Sequence, residues 1–140
     1  MSTILPGTCG ESQLLITSDV AVSFLGIEEA RVLGTPWLIL HMEITARNTV
    51  KPFLLDGEDT VGTQVNVRHL AATPLGMQVR FYAEVLSVEG RRIVFKVEAF
   101  DEREKIGEGT HERHIIDIER FAARLQAKRL MPALVTKGGT

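Results

Sequence analysis

The sequence predicts an α+β fold, an antiparallel sheet wrapped around a long central helix, and three observations carry that prediction. A helix start signal at Gly34-Thr35-Pro36 opens an apolar stretch that runs to Val50. From Val61 onward the apolar period changes from helical to two. The connections between the resulting strands are short, which makes them largely sequential neighbours.

Ser12 to Ile16 reads as a short strand, and Ser18-Asp19 as the N-cap of a helical turn through Val20-Ala21-Val22 before Gly26. Glu28-Glu29-Ala30-Arg31 forms a further turn that feeds into Gly34. At the central helix Thr35 takes the N-cap, where its hydroxyl oxygen accepts from an unpaired backbone N–H. Pro36 falls at the first helical position, where its missing N–H costs nothing. The helix is apolar almost all round, the mark of an element buried in a core. His41, Glu43 and Arg47 interrupt it too soon for it to cross a membrane.

Pro52 and Asp56-Gly57-Glu58-Asp59 mark a loop. Val61, Thr63, Val65, Val67, His69 and Ala71 then alternate with Gly62, Gln64, Asn66 and Arg68, a half-buried strand. After the turn Thr73-Pro74-Leu75-Gly76, a strand carrying Val79, Phe81, Ala83 and Val85 joins one carrying Ile93, Phe95, Val97 and Ala99 through a turn around Glu89-Gly90. Lys105 to Ile118 forms the last strand, with Gly107 and Gly109 marking a bulge or a close backbone approach. Asp117 caps a terminal amphipathic helix with Phe121 and Leu125 on one face and Lys128 and Arg129 in its last turn. Pro132 ends it, and residues 136–140 read as a frayed tail. One buried helix followed by four antiparallel strands, with a fifth before it, fits a hotdog-like architecture, in which the sheet is the bun and the helix the filling, an order that other α+β folds share.

The 140 residues suit one domain spanning 1–140, with about nine residues frayed at each end. Apolar residues at 44% and charged residues at 24% are ordinary for a soluble protein. A net charge of −2 lacks the basic excess of a nucleic-acid binder. Cys9 is the single cysteine, so an internal disulfide is excluded. The segment Met1-Ser2-Thr3-Ile4-Leu5-Pro6 has neither the basic region nor the long apolar run of a signal peptide, and a cytoplasmic protein without membrane partners is expected.

Glu43 is the first chemical anomaly, because a carboxylate inside an apolar helix is costly unless paired or working. Burial would raise its pKa; the bland alternative is a part-exposed glutamate paired with Arg47. His69 shares parity with Val65 and Val67 and should face the core, either as a hydrogen-bonded structural histidine or as a catalytic one. Thr35 reads as an N-cap and nothing more. His111 and His114 bracket Glu112-Arg113, but residues three apart in a strand point to opposite faces, and no second cysteine completes a zinc spacing, so no metal is expected. Gly107-Glu108-Gly109 lacks the third glycine and the strand-to-helix context of a nucleotide loop. No Gly-x-Ser-x-Gly elbow is present. Arg91 and Arg92 read as a solvated turn, or as charge for a phosphate-bearing ligand.

Three segments carry a family resemblance: Val67-Arg68-His69-Leu70-Ala71-Ala72-Thr73-Pro74-Leu75-Gly76; Val85-Leu86-Ser87-Val88-Glu89-Gly90-Arg91-Arg92; and Gly107-Glu108-Gly109-Thr110-His111-Glu112-Arg113 followed by Phe121. Together they resemble the fluoroacetyl-CoA thioesterase family of hotdog proteins, over about Gly34 to Arg129. The resemblance implies a catalytic set of threonine, glutamate eight residues later and histidine a further twenty-six on, which falls on Thr35, Glu43 and His69. It also implies that Gly62 and Arg113 contact the acyl group or thioester. The family's fluoroacetyl-specific enzyme carries a phenylalanine-bearing lid ahead of its threonine. Here Val20 to Leu33 is shorter and offers Phe24 alone, so a pocket tuned to one small fluorinated acyl group is not expected.

The implied activity is hydrolysis of an acyl-CoA thioester to a carboxylic acid and free CoA, with no cofactor, since CoA belongs to the substrate. A non-catalytic acyl-CoA binding module and a hotdog hydratase are the alternatives. The N–H groups at the helix start are natural oxyanion donors. Thr35 and Glu43 lie about 12 Å apart along one helix axis. A homodimer, or a dimer of dimers, with the site at its interface is therefore expected.

Overall fold

The computed structural model describes residues 3–135. Strand β1 (Cys9–Leu15) leads through a 3-10 turn (Ser18–Val20), strand β2 (Ala21–Val22), a second 3-10 turn (Glu28–Ala30) and strand β3 (Val32–Leu33) into helix α1 (Thr35–Val50). Strands β4 (Glu58–His69), β5 (Gln78–Glu89), β6 (Arg92–Phe100) and β7 (Lys105–Asp117) follow, and helix α2 (Ile118–Arg129) comes last. The large sheet has five strands in the order β1-β5-β6-β7-β4, antiparallel throughout, while β2 and β3 form a separate ribbon. Helix α1 packs on all five strands of the large sheet. The α+β design expected from the order of elements is the one observed.

Alternation in the central strands is what makes the core. Val79, Phe81, Ala83 and Val85 on β5 and Ile93, Phe95, Val97 and Ala99 on β6 are all fully buried. Helix α1 answers with Leu38, Met42, Ala46 and Val50, one stripe at helical spacing. The helix comes down hard on β7: a Cβ added to Gly107 would stand 3.1 Å from Met42 Cε and 3.2 Å from Leu38 Cδ2. At Gly109 a Cβ would run into the Asn66 carbonyl of β4. Both glycines therefore mark close approach, one to a helix and one to a neighbouring strand.

Several expectations change. The N-cap of α1 is Gly34, not Thr35, and no side chain caps the helix. A Cβ at Gly34 would crowd Val22 Cγ1 at 2.9 Å and Trp37 Cδ1 at 3.0 Å, so the cap position excludes a threonine, and the Thr35 hydroxyl is released for another partner. Nor is α1 buried all round. A second apolar stripe, Trp37, Leu40 and Ile44, stays 38%, 39% and 37% exposed on the protomer. In β4 the pairing with β7 shifts between Gly62 and Gln64. That extra residue reverses the parity, so Thr60 and Gly62 face the helix while Val61, expected inward, does not. Beyond the bulge Val67 packs against the core and His69 bonds to the helix start, on the side expected.

At the N-terminal end, β1 starts at Cys9, earlier than expected, because it pairs with β5 along its whole length. The turn placed over Val20 to Val22 is a 3-10 turn over Ser18–Val20, and Ala21–Val22 is extended against Val32–Leu33. Asp117 caps α2 as expected, accepting from the Arg120 amide at 3.0 Å. The tail at 136–140 lies outside the described residues. No helix among the described residues is long and apolar enough to cross a membrane.

Candidate active site

Residues four apart along one flank of α1 meet β4 and β7 in succession, since such positions lie one above another on a helix face. At the N-terminal end Thr35 Oγ1 lies 2.7 Å from Nδ1 of His69, the last residue of β4. Two turns on, Glu43 Oε2 lies 3.4 Å from Arg113 Nη1 of β7. One turn further, Arg47 grips Asp59 with Nε at 3.0 Å and Nη2 at 2.6 Å. The partner that sequence spacing offered to Glu43, Arg47, is thus taken by Asp59. Two charge-assisted bonds to one planar carboxylate outweigh a single pairing along the helix.

Gly62 faces Glu43 directly. A Cβ there would meet Glu43 Oε2 at 2.6 Å, His111 Cε1 at 3.2 Å and Arg113 Nη1 at 3.5 Å. Glycine at this point keeps the sheet open beneath the carboxylate. Arg113 is 6% exposed, and its Nε and Nη2 donate to the hydroxyl and carbonyl of Thr60 at 2.7 and 2.8 Å. The five residues expected at the site therefore fall into two groups, Thr35 with His69, and Glu43 with Gly62 and Arg113.

A cavity of about 500 Å³ contains the first group, lined by Thr35, His69, Phe24, Val32, Trp37 and Leu70 among others. An apolar groove of about 630 Å³ runs along the exposed flank of α1 past Thr35, Ile39, Leu40 and Glu43. The two share Thr35, Pro36 and Trp37, so they adjoin at the start of α1, one holding His69 and the other Glu43. Phe24, on the lining of the first cavity, is 87% exposed.

Burial holds the His69 imidazole below its ordinary pKa, opposed by the nearby backbone of Ala71, so the ring is neutral near neutral pH. Its Nε2 is shielded from solvent and has no hydrogen-bond partner among the described residues. At the helix start, Trp37 and Leu38 both donate to the Gly34 carbonyl, and Pro36 has no N–H. The oxyanion donors expected there are thereby narrowed to the amide of Thr35.

The spacing of His111 and His114 argues against a shared metal and leaves His111 without a role in the sequence. The two do point to opposite faces: His111 is 2% exposed and His114 lies on the surface. No group of three or more metal-ligating side chains occurs among the described residues. His111 nevertheless belongs to the site, with Nε2 3.2 Å from Arg113 Nη1. Its parity with Arg113 on β7 was the available signal.

Known proteins share this arrangement of elements. The family described as fluoroacetyl-CoA-specific thioesterase, FlK, matches residues 16–119. The fluoroacetyl-CoA thioesterase of Streptantibioticus cattleyicolor is 42% identical over 101 residues, 72% of this chain and 73% of that protein. A structure of the fluoroacetyl-CoA thioesterase FlK superposes with a TM-score of 0.83 at 33% identity, covering 94% of this chain and 100% of that one. A hot-dog-like protein from Thermanaerovibrio acidaminovorans superposes with a TM-score of 0.81 at 25% identity, covering 91% and 94%. The chain belongs to the fluoroacetyl-CoA-specific thioesterase family and has the hotdog fold.

Proposed function

We propose that this protein is an acyl-CoA thioesterase, hydrolysing a thioester to a carboxylic acid and free CoA, with Thr35, Glu43 and His69 as its catalytic set. The observation that carries the reading is the Thr35–His69 bond at the start of α1, inside a cavity that adjoins the groove past Glu43. A buried imidazole nitrogen with no partner is costly in a fold that makes no use of it. With Nδ1–H donating to Thr35 Oγ1, Nε2 carries the lone pair and takes a proton from water as the water oxygen attacks the thioester carbonyl carbon. The carbonyl oxygen gains negative charge close to the positive end of α1, where the Thr35 amide can donate to it. The C–S bond then breaks and CoA leaves as the thiolate, a good leaving group that needs no acid catalyst. Gly62 leaves room for the acyl group, and Arg113 supplies the donor beside it. Glu43 acts at the same carbonyl. Heavy oxygen from labelled water found in its side chain after a single turnover would mark nucleophilic attack through an anhydride opened at the Glu43 carbon.

Within one chain Thr35 and Glu43 stand about 12 Å apart on the helix axis, which supports a homodimer with the site at the interface. Two further features favour it. Strand β4 is an edge strand twelve residues long, and such edges are normally covered. The apolar stripe Trp37, Leu40 and Ile44 lies exposed on the helix above it. Antiparallel pairing of two β4 edges would place the Thr35 end of one protomer toward the opposite end of its partner. An acyl-CoA substrate spanning the interface would then meet both groups.

The test is a thiol-release assay over short, branched, aromatic and long acyl-CoAs. Turnover of at least one class is expected, lost by orders of magnitude in Glu43→Ala and His69→Ala while both remain folded. Saturable binding with a flat baseline across the panel would instead identify a binding module. The exposed segment around Phe24 predicts that the preferred acyl group is not the small fluorinated one.

A further inference from the structure

Arg113 is held by more than its ion pair. Thr60 takes Nε and Nη2, and this leaves Nη1 between Glu43 Oε2 at 3.4 Å and His111 Nε2 at 3.2 Å. His111 in turn sets its Nδ1 2.8 Å from the backbone carbonyl of Gln64, the residue at which β4 resumes its pairing after the bulge. Each partner of this imidazole has one possible role. A carbonyl oxygen can only accept and a guanidinium can only donate. Nδ1 therefore carries the hydrogen and Nε2 the lone pair, so the ring is neutral and its tautomer follows by elimination.

We propose that His111 is a positioning residue, which fixes the Arg113 guanidinium so that Nη1 holds the Glu43 carboxylate above Gly62. The chain of contacts runs from the β4 bulge through Gln64, His111 and Arg113 to Glu43. The ring is seated against Phe95, stacked with centroids 6.2 Å apart, so it has little freedom to turn. Without an acceptor at Nε2, the Nη1 group would lose one of its two anchors, and Glu43 would lose the fixed direction of its cationic partner Arg113. A proton on Nε2 would set N–H against N–H. Burial disfavours that proton and the charge of Arg113 opposes it further, while the Gln64 carbonyl and the carboxylates of Glu43 and Glu112 pull the other way; the net effect is a pKa below the ordinary one.

The inference rests on the thioesterase reading for what Glu43 does, but not for how it is held, and the experiment separates the two. His111→Phe keeps the stacking and removes both hydrogen bonds. His111→Gln places an amide oxygen near the Nε2 position and restores the acceptor. In thiol release, His111→Phe should lower kcat about tenfold or more, and His111→Gln should return it to within about threefold of the parent. In an Arg113→Met background, His111→Phe should add less than about twofold, because its effect runs through the missing group. Equal losses in both backgrounds, or a parental kcat in folded His111→Phe, would overturn the proposal.

Nitrogen NMR of the His111 ring supplies the readout that needs no activity. A neutral Nδ1–H tautomer is expected, with an Nε2 resonance that moves when Arg113 becomes Met. An Nε2–H tautomer, a charged ring at neutral pH, or an Nε2 resonance indifferent to Arg113 would overturn the inference. Absence of thiol release in the parent chain would overturn the thioesterase reading instead, and the NMR result would still decide the tautomer and the Arg113 contact.

Discussion

Thr35 and His69, thirty-four residues apart in sequence, meet at 2.7 Å through Oγ1 and Nδ1. The contact joins the first residue of the central helix to the last residue of an edge strand. It is possible because Gly34 serves as the N-cap and leaves the Thr35 hydroxyl uncommitted. A hydroxyl that would ordinarily close a helix end is thereby turned to orienting an imidazole.

That contact makes the two conservative replacements of Thr35 differ. Thr35→Ser keeps the oxygen and should retain kcat within a few-fold. Thr35→Ala leaves Nδ1 without its partner and should lower kcat roughly tenfold, about 1.4 kcal/mol of transition-state stabilisation. Steady-state kinetics on the preferred acyl-CoA decides it, and equal activity in the two variants would mean that the hydroxyl does not orient His69.

Gly62→Ala inserts a methyl group 2.6 Å from the Glu43 carboxylate oxygen. The strand tolerates alanine, so the fold should persist while Glu43 is pushed off its present position. We expect a loss of kcat/KM of about tenfold or more with little change in the circular dichroism spectrum. A crystal structure of the variant with Glu43 undisturbed would contradict the expectation.

His69 and His111 both have pKa values lowered from 6.5 in the native protein, in each case chiefly by burial. Native rings therefore bind fewer protons than unfolded ones between the lowered and the ordinary values. Their contribution to stability is complete above the ordinary value and is lost as pH falls through the native ones. Tm should decline on acidification from about pH 7 to about pH 5, and less so in His111→Gln. The acid limb of kcat/KM should likewise fall below the ordinary histidine pKa, because the free enzyme's His69 stays neutral there. A limb above it would point to another base.

Arg47 and Asp59 serve the fold. The carboxyl of Asp59 is held below its usual range, first by its hydrogen bond from Arg47. Asp59→Asn keeps the shape and removes the charge, and should cost about 1 kcal/mol of stability, since the pair is only part-buried. Denaturant unfolding measures the loss; kcat should stay within about twofold, because neither group touches the proposed catalytic residues Thr35, Glu43 and His69.

If the site is completed by a second copy, activity should follow association. Leu40→Glu places a charge on the exposed apolar stripe and should weaken self-association by about tenfold or more. Sedimentation velocity on parent and variant measures it, alongside specific activity as a function of protein concentration. A parent that is monomeric at every concentration yet fully active would exclude the shared site.

Much of this architecture was legible in the residues. The alternation through Val79 to Val85 and Ile93 to Ala99 predicts which side of each central strand is buried, and every one of those side chains is. Asp117 ahead of Ile118 predicts the second helix start, and the cap is made. Both succeed because they depend on neighbours a few residues away. In β4 the same rule fails at Val61, because one extra residue at the bulge reverses the faces on either side of it. Nothing in the local period reveals an unpaired residue; the register shift exists only against β7. Arg47 was offered to Glu43 by helical spacing and goes to Asp59 for the same reason, since the better carboxylate arrives from a distant strand.

The sequence by itself determined the order of elements, the buried faces of β5 and β6 and the residue types available for chemistry, because periods of two and of about 3.6 residues are properties of short stretches. Tertiary structure decided which of those residues meet. It separated Thr35 and His69 from Glu43 and Arg113, drew His111 into the second group, and left an apolar flank of α1 uncovered beside an open strand edge. Each of those outcomes depends on strand register and on the close approach of α1 to the sheet at its glycines, and both are set by contacts between distant parts of the chain.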